Sequence, residues 1–350
     1  MKLSNKNISQ FKKQTIVFLI ITFILTYAFN LWLYIAFENI SNIPPYSTLI
    51  QMLIPAAVAI LCLYYFGRDK LNSESKIFFG LFFLYILIFL WEMLTGPIIP
   101  FTLINLPIYR FMPTLSILIS VLSIIILFLM NLKQKWREKL ASTKLSFGVN
   151  RKYYIILGGL FTILLFFVYY LNHLFGYGNP IDSFNPNIFI YSFVVNLFVG
   201  FLVGWPFYFG EEYGWRVYLQ DRLFYIFGGI KGVLLLGLIW GLWHSGLIIM
   251  GMNYPDQPLL GNGVMILLAI VVGIYYSYAV LKTRSVWIAV VLHLIIDTIE
   301  PLAWFYISYP TETIFSFGMG LYGILIMGIF ASLLILFDKK VWNKVEILKS

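Results

Sequence analysis

The sequence has little charge and almost no cysteine, and each shortage excludes a class of protein. Only 11% of its 350 residues are charged, whereas 61% are hydrophobic. A soluble globular protein carries about 25% charged residues, so too little polar surface remains here to face water on all sides. The same composition excludes a disordered chain, which needs low hydrophobicity and high charge. The one cysteine, Cys62, excludes an intrachain disulfide.

The apolar residues come in long runs, which are typical of membrane-spanning helices. A transmembrane β-barrel would instead alternate apolar and polar residues. Each run is close to the roughly 20 residues that cross a ~30 Å hydrocarbon core, so we predict an all-α, polytopic membrane protein with about ten transmembrane helices. The predicted spans are 15–37, 48–66, 77–95, 111–132, 153–175, 188–210, 230–252, 262–281, 286–306 and 314–337.

The positive charges lie almost entirely in alternate connections between these spans. Of the 24 Lys and Arg residues, 23 lie in the two terminal segments or in even-numbered connections, and only Arg110 lies elsewhere. Cytoplasmic loops of membrane proteins carry an excess of Lys and Arg, so both termini are predicted to be cytoplasmic. Membrane orientation thus accounts for the net charge of +9, and no nucleic-acid partner is expected.

The basic connection 133–152 is the strongest candidate boundary in the chain. It separates a predicted N-terminal four-helix membrane region, 1–150, from a C-terminal six-helix membrane region, 151–350. The first apolar run follows a basic N-terminus, as in a signal peptide. It is too long for the apolar part of a signal peptide and lacks an A-x-A-like cleavage site, so we interpret it as a retained span.

Ionisable residues inside the predicted spans cluster in the C-terminal region. Such a residue costs roughly 2.5–3.5 kcal/mol at membrane depth and is a functional-site hypothesis by default. At a helical rise of about 1.5 Å per residue, the acids and histidines reach a similar depth, nearer the cytoplasmic side. We therefore expect Glu211, His244, His293 and Asp297 to share one cavity that opens to the cytoplasm. The cluster comprises Glu211, Glu212, Arg216, His244, His293 and Asp297.

The spacing within Glu211–Arg216 assigns different roles to the two glutamates. Glu212 and Arg216 are four residues apart with the acid first, which favours an ion pair on one helix face. Arg216 would then hold Glu212 and set the orientation of the helix. Glu211 points about 100° away around the helix and is available for chemistry. The alternative is a salt-bridge cluster at the cytoplasmic end.

Two further pairs have the same four-residue spacing. Trp240 and His244 share a helix face, so the indole can pack beside the imidazole, and so do His293 and Asp297. Each histidine could also be a structural residue, with the second pair forming a polar contact between helices. Three other ionisable residues are predicted to lie near outer helix ends, His173 as a structural residue, Glu92 and Glu300 as interfacial ones.

Several kinds of membrane hydrolase are excluded by missing motifs. The zinc motif H-E-x-x-H and the serine-protease motif G-x-S-G are absent, and Asp297 is the only aspartate at membrane depth. What remains is a set of carboxylates and imidazoles, which can deprotonate a water molecule and stabilise an oxyanion, as amide hydrolysis requires. The same groups can hold a divalent metal that does both.

Three segments resemble the motifs of one family, the CAAX prenyl protease and bacteriocin-processing (CPBP) family. Glu211–Arg216 resembles its E-E-x-x-x-R motif, Trp240–His244 its F-x-x-x-H motif with Trp for Phe, and His293–Asp297 its H-x-x-x-N/D motif. They occur in the family's order on separate predicted helices. The resemblance implies an intramembrane endopeptidase core at about 190–306, which cuts a membrane-associated peptide or protein near the cytoplasmic face.

Carried over residue by residue, the resemblance implies a catalytic role for four side chains. Glu211 would activate water with help from His244, and His293 and Asp297 would form the oxyanion site. Since a carboxylate repels an oxyanion unless it is protonated, Asp297 would instead orient His293 or bind a metal. Glu212, Arg216 and Trp240 would support them. No cofactor is expected to be required; in the zinc alternative, the ligands are His244, His293 and either Asp297 or Glu211.

The composition, rich in Ile, Lys and Phe, leads us to expect a bacterial cell membrane, where prenylated substrates are improbable. Bacterial members of the family are linked to peptide maturation, bacteriocin immunity and envelope regulation. Two other classes stay open. A proton-coupled transporter would carry polar residues through the whole bilayer depth, whereas here they stop in the cytoplasmic half. A catalytically silent membrane scaffold would not need Glu211, His244 and His293 together.

Overall fold

The computed structural model describes residues 5–37, 42–44, 46–67, 71–96, 114–308, 313–316 and 318–343, which are almost entirely helical. The predicted all-α membrane fold is confirmed. In chain order the elements are α1 (Asn5–Phe37), α2 (Leu49–Gly67), α3 (Ser73–Thr95), α4 (Thr114–Leu132), α5 (Gln134–Ala141), α6 (Lys152–Leu174), β1 (Asn179–Pro180), α7 (Pro186–Glu212), a π-helical segment (Tyr213–Leu219), α8 (Gln220–Phe227), α9 (Gly229–Trp243), α10 (Ser245–Ile249), α11 (Pro258–Thr283), α12 (Trp287–Tyr306), β2 (Ile307–Ser308), α13 (Thr313–Ser316), α14 (Leu321–Phe337) and α15 (Lys339–Trp342).

Within these ranges, 8 helices are long and apolar enough to cross a membrane. One of them is the continuous helical run Pro186–Phe227, which joins α7, the π-helical segment and α8. The predicted span 230–252 is not a single helix, because α9 ends at Trp243 and α10 begins at Ser245. The predicted span 286–306 corresponds to α12. The number of spans and the side on which the termini lie stay predictions.

The outer surface of the bundle is apolar, as contact with lipid requires. Large side chains such as Ile24, Ile155 and Leu325 are 62%, 82% and 66% exposed. In water such a surface would be an extensive exposed hydrophobic patch, whereas a bilayer is its natural solvent. Backbone polar groups are satisfied within the helices, so the chain presents mainly hydrocarbon to the lipid.

The N-terminal helices pack directly against the helices that carry the predicted site. Trp205 and Phe209 of α7 lie between Phe78 of α3 and Trp287 of α12, with ring centroids 5.3–5.6 Å apart. Such aromatic contacts add stability beyond the area that they bury. The four rings belong to one buried cluster with the rest of the core. The boundary near residue 150 stays a prediction, since helices on both sides of it share this core.

Ion pairs concentrate at the end of the bundle where the Lys and Arg residues lie. Lys144 Nζ is 2.6 Å from Asp221 Oδ1, Lys139 Nζ is 2.7 Å from Glu74 Oε1, and Lys282 pairs with Asp338. The Lys144–Asp221 pair is buried and ties the predicted 133–152 connection to α8. At the opposite end, β1 and β2 pair antiparallel, with Asn179 opposite Ser308.

Two residues that were predicted to lie near outer helix ends have defined structural contacts. Glu92 is fully buried and caps α4, because its carboxylate accepts hydrogen bonds from the backbone N–H groups of Leu115 and Ser116 at 2.9 and 2.8 Å. The first backbone N–H groups of a helix have no partner within the helix, and a carboxylate at the N-terminus accepts hydrogen bonds from them. The His173 ring lies 2.9 Å from Asn179 Oδ1, beside the short strand pair.

Candidate active site

The residues predicted to be catalytic line one cavity of about 340 Å³. Glu211, His244, His293 and Asp297 all contribute to its wall. The two imidazole rings both contact the Trp240 indole, with centroids 5.5 Å and 5.9 Å from that of the indole. Three helical stretches, α7, the α9–α10 junction and α12, therefore bring acid and imidazole groups together, as their common depth suggested.

Close approach of α2 to α7 fixes the backbone on both sides of the two glutamates. A Cβ on Gly210 would lie 2.4 Å from the Met52 carbonyl oxygen, and a Cβ on Gly214 would lie 2.5 Å from the Pro55 Cβ. Only glycine fits at both positions, and small residues four apart are a common way to bring membrane helices together. The helix then changes to π geometry from Tyr213, a feature that is frequent at functional sites.

Glu211 is buried against one hydrogen-bond donor and faces the cavity. The Trp240 indole N–H donates to Glu211 Oε2 at 2.7 Å. Glu211 is buried, with 2% of its surface exposed. The indole holds one carboxylate oxygen in place, and the carboxylate also belongs to the cavity wall. This arrangement suits a general base whose position must be fixed relative to a substrate.

Glu212 has two partners, of which the sequence predicted only one. Its Oε2 is 3.1 Å from Arg216 Nε, as the four-residue spacing indicated. Its Oε1 also lies 2.9 Å from His293 Nδ1, on a different helix. Glu212 therefore joins the predicted structural arginine to the predicted catalytic histidine. Sequence spacing could not reveal the second contact, because it depends on how α7 and α12 are rotated against each other.

Arg216 is fully buried between aromatic rings. Its guanidinium carbon lies 4.4 Å from the Trp240 ring centroid and 5.5 Å from that of Tyr276. Stacking of guanidinium on aromatic faces stabilises a desolvated charge. Arg216 thus supports the site in two ways, through its ion pair with Glu212 and by packing beneath the indole that binds Glu211.

His244 lies at the break between α9 and α10, where its ring orientation is set by backbone and aromatic contacts. Its Nδ1 is 2.8 Å from the Trp240 carbonyl oxygen. Because a carbonyl can only accept, Nδ1 carries the proton in this contact. The ring also packs edge-on against Trp243 at a centroid distance of 4.8 Å. Nε2 is therefore the nitrogen available for chemistry in the cavity.

His293 lies between two carboxylates. Glu212 is the closer partner, whereas the distance from His293 Nε2 to Asp297 Oδ2 is 3.6 Å. The sequence suggested that Asp297 orients His293, and the structure adds a shorter contact, in which His293 Nδ1–H donates to Glu212 Oε1. Asp297 has 39% of its side chain exposed, compared with 8% for His293 and none for Glu212. Asp297 is thus the carboxylate most open to the cavity.

The sequence analysis did not identify Tyr276 as a site residue, and its prediction that Glu300 is interfacial is wrong. Tyr276, on α11, is fully buried and packs its ring 5.7 Å from that of His293. Glu300 was predicted to be interfacial, yet it is 4% exposed and lines the same cavity one turn beyond Asp297. Its position three residues after Asp297 in a helix could have indicated a shared face. Nothing in the sequence singled out Tyr276 among the 24 tyrosines.

The donor atoms that could surround one metal ion differ from the predicted zinc ligands. Within the described ranges, Glu211, Glu212 and His293 offer donor atoms that all lie within 4.8 Å of one another. Zinc holds such atoms at about 2.0–2.2 Å from the ion, so the three groups would have to move slightly closer together. Glu212 already contacts Arg216 and His293, and a metal would compete with both contacts. The set could hold an ion after this rearrangement.

The cavity extends from the site toward the end of the bundle opposite to the Lys and Arg residues. Its far wall includes Thr48, Asn253, Pro301 and Met319, which lie next to predicted outer connections. On the other side of Glu211, the π-helical segment Tyr213–Leu219 is entirely buried. The expectation that the cavity opens to the cytoplasm stays a prediction.

These features define a class, a polytopic helical membrane protein with carboxylates and imidazoles around a cavity inside the bundle. Residues 191–299 match a family described as type II CAAX prenyl endopeptidase Rce1-like. Over 137 residues the chain is also 31% identical to CAAX prenyl protease 2 of Methanococcus maripaludis, a match that covers 38% of this chain and 47% of that relative. The chain thus spans about half the length of the curated relative that it matches. The resemblance to the CPBP family is confirmed for this region.

Proposed function

We propose that this protein is an intramembrane endopeptidase that hydrolyses a peptide bond with water activated by Glu211. The observation that carries the proposal is the position of Glu211 on the cavity wall, held through one oxygen by the Trp240 indole. Similarity of residues 191–299 to the type II CAAX prenyl endopeptidases supports the same reaction class. The reaction takes place in the half of the bundle nearer the end that the positive-inside rule predicts to be cytoplasmic.

The first step is deprotonation of a water molecule by Glu211. The carboxylate accepts one proton, and the resulting hydroxide adds to the carbonyl carbon of the scissile amide. His244 presents Nε2 to the cavity and helps to orient this water, since its Nδ1–H is engaged by the Trp240 carbonyl. Glu211 then returns its proton to the amide nitrogen, the C–N bond breaks, and acid and amine products form. A positioned general base typically contributes about 10²–10⁴ in rate.

His293 stabilises the oxyanion that forms on the carbonyl oxygen. As an imidazolium between Glu212 and Asp297, His293 directs its Nε2–H toward the cavity. Its Nδ1–H donates a hydrogen bond to Glu212 Oε1. Fixed donors in a site that excludes water are worth far more than donors in solution. Asp297 faces the cavity, where it helps to orient His293 and the substrate. Glu212 is thus a positioning residue for the oxyanion donor.

We propose that this reaction proceeds without a metal ion. His293 Nδ1 is hydrogen-bonded to Glu212 Oε1, and Glu212 Oε2 forms an ion pair with Arg216 Nε, so a metal ion would have to compete with both contacts. A zinc site would use Glu211, Glu212 and His293, and zinc would polarise the carbonyl and lower the pKa of bound water. Removal of metal by a strong chelator, with elemental analysis of the same sample, separates the two mechanisms.

The proposed substrates are membrane-associated peptides or proteins. The relative that the chain matches is named CAAX prenyl protease 2, and the matching family is described as prenyl endopeptidases. The cavity is lined largely by apolar side chains between helices long enough to cross a bilayer. An apolar peptide segment is the ligand that such a wall binds at least cost.

The test compares peptides released in membranes that contain the wild type, Glu211→Gln or Glu138→Gln. Gln keeps the size of Glu211 and can accept the Trp240 hydrogen bond, but it cannot take the water's proton. Glu138 is an exposed acid on α5 whose change matches the first in size and charge. We expect specific fragments with the wild type and with Glu138→Gln, and none with Glu211→Gln. Identical fragment patterns in all three membranes would refute the proposal.

A further inference from the structure

We infer that the helix bundle binds an anionic phospholipid at a site separate from the cavity that holds Glu211. The headgroup phosphate occupies a basic pocket of about 210 Å³ at the Lys- and Arg-rich end, and an acyl chain occupies an adjoining apolar groove of about 260 Å³. Neither space shares a wall residue with the Glu211 cavity. The inference is therefore independent of the proposed function.

Three cationic side chains line the basic pocket, those of Lys144, Lys282 and Arg284. Asn150 and Tyr153 add an amide and a phenol, and among the described residues of this wall none is acidic. A carboxylate outside the wall pairs with each of the two lysines and fixes its position. An ammonium group has three N–H donors, so a single ion pair leaves donors that a phosphate can accept.

The backbone around the basic pocket is held by hydrogen bonds within the protein. The Val149 N–H donates to the Thr283 carbonyl at 2.8 Å, and the Val286 N–H donates to the Lys144 carbonyl at 3.0 Å. These bonds join the loop before α6 to the turn between α11 and α12. Lys144 and Arg284 have left-handed backbone conformations, with φ of 56° and 57°, and such residues cluster at ligand sites. A preformed pocket lowers the cost of ordering on binding.

The apolar groove lies between α6 and α14, with side chains of α11 and α12 at its bottom. Phe161 and Leu292 are 2% and 1% exposed, whereas Ile163 and Leu333 at the rim are 64% and 38% exposed. The groove therefore opens onto the apolar outer surface of the bundle. Its wall consists of aliphatic and aromatic side chains. A hydrocarbon chain gains dispersion contacts along such a wall.

Lys282 marks the place where the basic pocket and the apolar groove meet. Its Nζ is 5.6 Å from the ring centroid of Tyr153, which lines the pocket, and 5.3 Å from that of Tyr278, which lines the groove. Along α6, Leu157 of the groove follows Tyr153 by one turn, about 6 Å. A phospholipid has the same order, with a charged phosphate followed by hydrocarbon, and basic pockets between membrane helices bind such headgroups. A free phosphate would use only the pocket.

The first test measures binding of radiolabelled phosphatidylglycerol to the full-length protein purified in a neutral detergent. Competitors are phosphatidylcholine with the same acyl chains, glycerol 3-phosphate and inorganic phosphate. We expect saturable binding of phosphatidylglycerol, with phosphatidylcholine weaker by about tenfold or more, because its choline brings a positive charge to the cations. Both soluble phosphates should compete more weakly still, because they lack the acyl chain. Equal competition by the two lipids, or soluble phosphates that compete as well as the lipid, would overturn the inference.

The second test changes one residue of each part and compares it with a matched residue elsewhere. Arg284→Gln alters the basic pocket, and Ile163→Trp fills the apolar groove. The controls are Arg137→Gln, at the same end of the bundle on α5, and Ile155→Trp, at an exposed position on α6; neither residue lines the pocket or the groove.

We expect Arg284→Gln to weaken binding of phosphatidylglycerol about tenfold, as loss of a hydrogen bond between charged groups does. Ile163→Trp should weaken it to a similar extent, while both controls bind like the wild type. Unfolding midpoints show which variants are folded, and the competition on the wild type decides alone if a site variant is not. Wild-type affinity in both site variants would refute the inference.

Discussion

Replacement of Glu212 by Gln should destabilise the protein much more than replacement of Glu211. Glu212 and Arg216 are both fully buried, with 3.1 Å between Oε2 and Nε. Loss of one partner of a buried ion pair leaves an uncompensated charge and typically costs about 3–5 kcal/mol. The amide introduced by Glu212→Gln can still accept the hydrogen bond from His293 Nδ1, so the expected loss is assigned to the stranded Arg216. Glu211→Gln keeps the Trp240 hydrogen bond and should change stability by less than about 1 kcal/mol.

The assay is unfolding of purified protein in detergent, followed by tryptophan fluorescence, with activity measured on the folded fraction. Arg216→Met in the Glu212→Gln background removes the stranded charge and should recover part of the lost stability. Activity should fall with Glu211→Gln by about 10²–10⁴ while the protein stays folded. If Glu212→Gln unfolds at the wild-type midpoint, the ion pair does not stabilise the fold. If Glu212→Gln is inactive but stable while Glu211→Gln is active, the roles of the two glutamates are reversed.

Three further changes test the site and its packing. Trp240→Phe removes the N–H that holds Glu211 and should lower activity about tenfold, which corresponds to about 1.4 kcal/mol. The control is Trp342→Phe, which removes a hydrogen bond to the Leu334 carbonyl outside the cavity, and equal loss in both variants would contradict the role of Trp240. Gly214→Ala places a Cβ 2.5 Å from Pro55 Cβ and should lower the free energy of unfolding by about 1–3 kcal/mol. Gly80→Ala, whose new Cβ would have nothing within 4 Å, should be tolerated. Equal unfolding midpoints for the two variants would count against the close packing of α2 on the glycine positions. Treatment with a strong chelator should leave activity intact; loss of activity that zinc restores, together with stoichiometric zinc, would show that the enzyme needs the metal.

The sequence predicted the class of fold and much of the site because those features have local signals. Long apolar runs identify helices in lipid regardless of how the helices pack. The four-residue spacing of Glu212 and Arg216 predicted their contact correctly, and the same spacing placed Trp240 beside His244. Ionisable residues at membrane depth are rare enough that their positions alone pointed to one region of the chain.

Contacts between different helices could not be predicted from the sequence. The hydrogen bond from His293 to Glu212 depends on the rotation of α12 against α7, and Tyr276 reaches the site only because α11 packs beside α9. The π-helical geometry after Glu212 also changes the residues that share a helix face, and a 3.6-residue period does not anticipate it. Glu300 was misplaced because its distance from the helix end was considered rather than the face on which it lies.

By itself, the sequence determined that the chain forms apolar helices, which connections between them carry the positive charge, and which polar residues lie within the membrane-spanning stretches. Composition and spacing along one helix are sufficient for these, since each is a property of neighbouring residues and of the solvent around them. Tertiary structure alone decided which carboxylate holds His293 and in which direction the cavity extends. Both depend on side chains that are distant in sequence, and the close packing of whole helices sets their distances.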